Sequence, residues 1–163
     1  MLPIRKIGVI SDTHISTKAK FIPPEVLEGL KGVDLILHAG DILQAEILEQ
    51  LALIAPVEAV AGNNDSAELT AKLGLTKIIQ AGHKRIGLIH GHGSRGTTLE
   101  RAIKAFQDVD CIVFGHNHFP YNVVHDGVLI FNPGSPTDKR RLPQASFGFL
   151  ICDDEIRGEI VYF

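Results

Sequence analysis

Apolar residues along this chain come in short unbroken runs, and most runs stop at a polar cluster. Lys6–Ile10 is apolar after its first residue and ends at Ser11-Asp12, the pattern of a strand buried on both faces. Val33–His38 and Val57–Ala61 repeat that pattern. Helical signals lie between the runs. Pro23-Pro24-Glu25 opens a helix to about Lys31, with proline where a first turn tolerates it. Gln44–Ile54 carries Ile47, Leu48 and Leu51 at helical spacing and breaks at Pro56. Ser66–Leu73 reads as a short helix capped by Ser66.

The pattern changes after Leu73. Leu75–Gln80 and Lys84–His90 flank Ala81-Gly82-His83 as a hairpin. Thr97–Gln107 is helical and Asp110–Phe114 is a strand. Tyr121–His125 and Val128–Phe131 enclose Asp126-Gly127, a strong hairpin turn. Ser146–Cys152 and Glu155–Phe163 pair around Asp153-Asp154, and Pro133–Pro143 is the one long irregular stretch. The order predicts an α/β fold: a mixed two-sheet core covered by helices. With 163 residues, no linker and no repeat, residues 1–163 are expected to form a single domain.

Composition narrows the function. The net charge of -3 argues against a protein that lives on bulk nucleic acid through electrostatics. It leaves room for a small phosphate-bearing substrate, because a bound metal inverts the local charge. Cys111 and Cys152 sit inside apolar runs and read as core residues, so no disulfide framework is expected and a cytoplasmic location is the default. The first apolar run ends too early for a signal peptide, and no run approaches the ~18 residues of a membrane span.

The chemistry lies where the runs end. Asp12-Thr13-His14, Asp41, Asn63, His90-Gly91-His92 and His116-Asn117-His118 each follow a predicted strand. Ligands in open α/β sheets gather beyond the carboxyl ends of strands, so five parallel strands would bring these residues to one crevice. Singly, each has an ordinary reading as a surface pair, a helix cap or a turn. Together they form a nitrogen–oxygen donor set without thiolate, suited to Mn²⁺, Ni²⁺, Fe, Zn²⁺ or Co²⁺ rather than Ca²⁺. Two carboxylates, one amide and four imidazoles are too many for one ion and divide over two if one carboxylate bridges. His83 and His125 read as solvated turn residues, and His38 as a structural or supporting group.

Ser11-Asp12-Thr13-His14, His38-Ala39-Gly40-Asp41, Gly62-Asn63-Asn64-Asp65, His90-Gly91-His92, Gly115-His116-Asn117-His118 and Asn132-Pro133-Gly134-Ser135 together resemble the motif set of the calcineurin-like metallophosphoesterases. The similarity is to the small single-domain branch, which includes YfcE-type phosphodiesterases and the retromer subunit Vps29. The resemblance implies a four-layer α/β/β/α sandwich with two mixed sheets. It implies that Asp12, His14 and His118 hold one metal, that Asn63, His90 and His116 hold a second, and that Asp41 bridges them. Mn²⁺ is the first expectation for both. Relatives of the branch form dimers and tetramers, so a homo-oligomer is a further expectation.

One position departs from the wider family. Many relatives have histidine after the ligand asparagine, thought to bind phosphate and protonate the leaving group. Here it is Asn64, which donates hydrogen bonds but supplies no proton. His92 is the nearest alternative, with the simpler reading that it orients His90. The expected reaction is hydrolysis of a small phosphodiester by a hydroxide activated between two metals, with no membrane or bulk nucleic-acid partner. A phosphomonoesterase and a metal-poor protein-interaction scaffold are the alternatives. Gly91-His92-Gly93-Ser94-Arg95-Gly96 also matches a dinucleotide fingerprint in form, but the acid expected at the end of the next strand is missing. Lys139, Arg140 and Arg141 read as a solvated loop, with a substrate phosphate or base as the other reading.

Overall fold

A computed structural model describes residues 3–16 and 21–163 of the chain. In chain order it contains β1 (Lys6–Ile10), α1 (Pro24–Gly29), β2 (Leu35–His38), α2 (Ala45–Ala52), β3 (Val57–Ala59), α3 (Ala67–Leu73), β4 (Thr76–Ala81) and β5 (Lys84–Ile89). There follow α4 (Thr98–Lys104), β6 (Cys111–Val113), β7 (Tyr121–His125), β8 (Val128–Asn132), β9 (Ser146–Cys152) and β10 (Ile156–Tyr162). The strands form two five-stranded sheets, ordered β10-β9-β1-β2-β3 and β4-β5-β6-β8-β7.

Both sheets are mixed, as the order of elements predicts. β1, β2 and β3 run parallel, and β9 and β10 add antiparallel strands. In the second sheet β5, β6 and β8 run parallel, and β4 and β7 close the edges antiparallel. Side chains alternate across each strand, so each apolar run feeds two cores. From β1, Ile7 and Val9 enter the layer between the sheets, where they meet Leu88, Val113 and Phe131. Ile10 points the other way, into a core with Val26 of α1, Leu30 at its C-terminal cap, and Ile47 and Leu51 of α2. Ile112 and Ile130 pack outward against Ala102 of α4. Helices therefore cover both outer faces, giving the α/β/β/α sandwich.

The caps follow local chemistry. Ser66 accepts the Leu69 N–H and starts α3, and Thr97 accepts the Glu100 N–H and starts α4. α4 ends earlier than its apolar spacing suggests, because Phe106 leaves the helix to pack over Gly87 of β5.

Phe131 joins the two sheets. It is fully buried, and its ring lies against the backbones of Gly148 and Gly158, where any Cβ would collide with it. Phe131→Ala is expected to destabilise the fold by about 3–5 kcal/mol, since surrounding backbone cannot collapse into the space. Chemical denaturation checks this, read as a lower midpoint with an unchanged slope.

Candidate metal centre

Five of the six parallel strands deliver a donor loop to one rim. Asp12 and His14 follow β1, Asp41 follows β2, Asn63 follows β3, His90 follows β5, and His116 and His118 follow β6. Parallel strands were expected to bring these residues to one crevice, and they do: three loops come from the first sheet and two from the second, so the crevice lies where the two sheets meet. The join is direct. The His116 N–H donates to Asp12 Oδ2 at 3.0 Å, across 104 residues of chain.

All seven side chains meet there. Asp12 Oδ1 lies 3.6 Å from His14 Nε2, 3.7 Å from His90 Nε2 and 3.5 Å from His118 Nε2. Asp41 Oδ2 lies 3.3 Å from His14 Nε2 and 3.2 Å from His90 Nε2. Asn63 Oδ1 is 3.1 Å from His90 Nε2, and His116 Nδ1 is 3.3 Å from the same atom. Two groups are close enough to hold a cation, Asp12 with His14 and His118, and Asp12 with Asp41 and His90. Asp12 thus borders both groups, and Asp41 faces a histidine of each.

The backbone is shaped for this. Asp12, His14, Asp41, His116 and His118 all have positive φ, between 47° and 73°. Such angles are uncommon outside glycine and cluster at functional sites, where surrounding contacts enforce them. Gly115 has its own reason to be glycine. A Cβ there would strike Ser11 Oγ and the Asp12 carboxylate.

Hydrogen bonds fix which ring nitrogens face inward. His90 Nδ1 lies 2.8 Å from the Ala39 carbonyl, and His118 Nδ1 lies 2.7 Å from the Asp138 carbonyl. A carbonyl only accepts, so each Nδ1 carries a proton and each Nε2 is the nitrogen left to ligate in the neutral ring. Asp12 Oδ1, His14 Nε2 and His118 Nε2 are buried without a hydrogen-bond partner. Lone pairs facing one another in a buried pocket are costly unless a cation lies among them, and a second bond that orients a ligating histidine is usual. The donor set therefore fits divalent metal ions.

Electrostatics point the same way. Burial opposes the Asp41 charge, but His90 and the two Asn64 N–H donors hold its carboxyl well below the usual range. Asp12 is also held low against burial, by His14, His90 and His118. Both carboxylates are thus ionised and ready to bind. Burial, reinforced by His90, lowers His92 and His116, which favours their neutral, ligating form.

Residues 6–155 match the calcineurin-like phosphoesterase superfamily domain. The chain belongs to the calcineurin-like phosphoesterase superfamily. A probable metallophosphoesterase of Methanothermobacter thermautotrophicus is 36% identical over 157 residues, spanning 95% of this chain and 91% of that protein. Among solved structures, Vps29 of Entamoeba histolytica complexed with Zn²⁺ superposes with a TM-score of 0.73 at 26% identity, covering 96% of this chain and 98% of that one. A structure described as a novel archaeal phosphodiesterase shares the fold, with a TM-score of 0.74 at 24% identity over 97% and 99% of the two chains.

Around the phosphoesterase centre are residues that the sequence motifs contained but whose work they concealed. Asp65 is the chief one. Its carboxylate accepts N–H groups from Asp41 (2.9 Å), Ile42 (2.8 Å), Leu43 (2.7 Å) and Gly62 (2.7 Å). It ties the loop after β2 to the loop after β3. Ser135 and Thr137 hold the first loop in turn, donating to the carbonyls of Asp12 (2.8 Å) and Thr13 (2.6 Å). Part of the irregular Pro133–Pro143 stretch is therefore a strap across the centre.

His38 is an internal brace. The Gly40 N–H donates to its Nδ1, which leaves the proton on Nε2, facing Thr13 Oγ1 at 3.1 Å. Burial holds its pKa at about 4, so it stays neutral. Asn64 lies beside the centre, but both its backbone N–H and its side-chain amide donate to Asp41, at 2.9 Å each. His92 stands at the rim, 5.6 Å from His90 between ring centres, with a buried Nδ1 that has no partner. The glycine-rich loop around it is held by Arg101, which donates to the carbonyls of Gly91 (2.9 Å), Arg95 (3.0 Å) and Gly96 (2.7 Å). His83 and His125 are exposed and distant in role, as expected of turn residues.

Proposed function

We propose that this metallophosphoesterase is a phosphodiesterase working through two divalent ions, held by Asp12, His14 and His118 on one side and by Asn63, His90 and His116 on the other. Asp41 is shared between them. The observation that carries this reading is Asp41 Oδ2, placed between His14 Nε2 and His90 Nε2 at 3.3 and 3.2 Å. When bound, such ions lower the pKa of a coordinated water toward ~7 and polarise the phosphoryl group. Mn²⁺ is the expected ion through its availability rather than its affinity, with Ni²⁺, Fe, Zn²⁺ and Co²⁺ as alternatives that the same donors accept.

The chain's own residues do the rest. Asp65 fixes the Asp41 loop, and Asn64 supplies N–H donors beside it. With an anionic ester bound, the Asn64 amide turns toward a phosphoryl oxygen and stabilises its developing charge. Neither Asn64 nor Asp65 supplies a proton to the leaving group. His92 faces the same opening, and its lowered pKa makes it a weak acid store at neutral pH. Leaving groups that depart without protonation should therefore react best. Phenolic phosphodiesters are expected to turn over at least about 10-fold faster than alkyl ones. Equal rates on Mn²⁺-loaded protein would mean that an efficient acid is present.

The deciding experiment is a panel of metals against phosphodiesters, phosphomonoesters and cyclic nucleotides. Preference for monoesters would move the chain to the phosphomonoesterase reading. The likeness to Vps29 keeps a scaffold role in view. A scaffold would hold little metal and show no turnover with Mn²⁺ present. Among the described residues no helix is long and apolar enough to cross a membrane.

A further inference from the structure

A groove leaves the metal centre at His118, and none of the residues beyond it has a part in the chemistry above. Its first compartment, about 260 Å³, is lined by His118, Phe119, Lys139, Arg140, Arg141 and Leu142. A second compartment of about 230 Å³ adjoins it, sharing Phe119 and Leu142 and adding Pro120, Pro143 and Tyr162. Each is small beside a drug-sized pocket, and the pair suits one nucleotide-sized group.

The two compartments differ in chemistry. The first is cationic. Among the described residues no ion pair involves Lys139, Arg140 or Arg141. Lys139 Nζ donates to the Leu142 carbonyl at 3.0 Å, so its charge is held in place within the loop. The nearby acid, Asp138, accepts the Arg140 backbone N–H and faces His118, which leaves both guanidinium groups without a carboxylate. Three adjacent cations repel one another within a Debye length unless an anion joins them. In a chain of net charge -3 this concentration is a local feature, not a general one.

The second compartment is apolar and aromatic. Phe119 is 58% exposed and Tyr162 is 53% exposed. The Phe119 main chain is anchored all the same. Its N–H donates to Asn117 Oδ1 at 2.9 Å, and that oxygen also accepts from Asn132 Nδ2 at 2.9 Å. An exposed ring whose main chain is anchored through β8 and which is flanked by guanidinium groups is the pairing that binds nucleotides, with a base on the ring and phosphate on the cations.

We infer that this groove receives one nucleotide of the substrate, and that the preferred substrate is a short oligonucleotide carrying a terminal phosphate beyond the scissile diester. The base stacks on Phe119, and the terminal phosphate is held by Arg140 and Arg141. The inference takes the location of the scissile bond from the phosphodiesterase reading above, but the groove itself is tested by binding.

The test compares diadenosine methylphosphonate with and without a 5′-phosphate, on the full Mn²⁺-loaded chain, by calorimetry. The methylphosphonate linkage resists hydrolysis, so binding is read apart from turnover. The 5′-phosphate is expected to tighten binding at least about 10-fold. In Arg140→Gln/Arg141→Gln that advantage should shrink below about 3-fold, whereas Arg140→Lys/Arg141→Lys should keep part of it. Phe119→Ala should weaken both compounds about 10-fold. Equal affinity for the two compounds in the unmodified protein overturns the inference, as does a phosphate advantage that survives the glutamine pair. Failure to hydrolyse any phosphodiester, with the binding difference intact, would instead overturn the phosphodiesterase reading and leave a nucleotide-binding groove.

Discussion

Asp41→Ala is expected to lower kcat/KM toward an aryl phosphodiester by at least about 10³-fold, with most of the loss in kcat. The size follows from position. Asp41 is the one carboxylate whose oxygen lies within 3.3 Å of His14 and 3.2 Å of His90, histidines from opposite sides of the donor set. Removing it takes a charge from both proposed ion sites at once. It also removes the acceptor for two Asn64 donors, so the loop after β3 loses its anchor beside the substrate. Asp41→Asn keeps the shape and loses the charge, and it should fall nearly as far. Steady-state kinetics with saturating Mn²⁺ checks both. Activity within 10-fold of the unmodified protein would remove Asp41 from the centre.

The second large effect is expected from a residue that binds no metal. Asp65→Ala strips an acceptor from four backbone N–H groups. A hydrogen bond to a charged group contributes roughly 1.5–3 kcal/mol, but four on one carboxylate share its charge and do not add. Water reaches this half-buried site and recovers part of the loss. A destabilisation of about 3 kcal/mol is the expected result, seen as a fall in Tm of about 6–12 °C in a chain of this size. Activity should fall more than stability alone accounts for, because the same four bonds hold Asp41 at its positive φ. Asp65→Asn keeps one acceptor oxygen and should recover part of the Tm and less of the activity. A Tm unchanged in Asp65→Ala would show that water replaces all four bonds.

These two aspartates mark how far the chain could be read before its structure was known. Asp41 announces itself. It ends an apolar run, it belongs to a recognisable set of motifs, and its chemistry is that of a metal ligand. Asp65 occupies a turn where Asp is common for local reasons, and three of its four partners lie more than 20 residues earlier in the chain. Nothing in sequence spacing reveals a bond to Leu43. The same contrast holds for the strands. Runs such as Lys6–Ile10 identified themselves by apolar content, and hairpins by Asp126-Gly127. Which sheet each strand enters was not legible from the runs, because most of the parallel strands are largely buried on both faces and look alike. The division of the donor loops between two sheets became visible only through cross-sheet bonds such as His116 to Asp12. Positive φ at five donor residues was equally hidden, since aspartate and histidine do not advertise a left-handed backbone as glycine does.

The strap at Ser135–Asp138 lies between these cases. Asn132-Pro133-Gly134-Ser135 stood out as a motif, but its use could not be inferred from its residue types. Ser135 Oγ donates to one carbonyl and accepts two N–H groups from its own loop, so it locks loop and centre together. Past it, Lys139–Arg141 looked like ordinary solvated charge. Only the placement of Phe119 opposite those residues turned them into a candidate subsite.

The measurement that bears most directly on the paired-cation pocket is the metal content of the chain after purification without chelator and with Mn²⁺ supplied. About two equivalents per chain are expected, with anomalous diffraction placing them on either side of Asp41, and at most one should remain in Asp41→Ala. A metal-free protein, or metal bound equally well without Asp41, would contradict it.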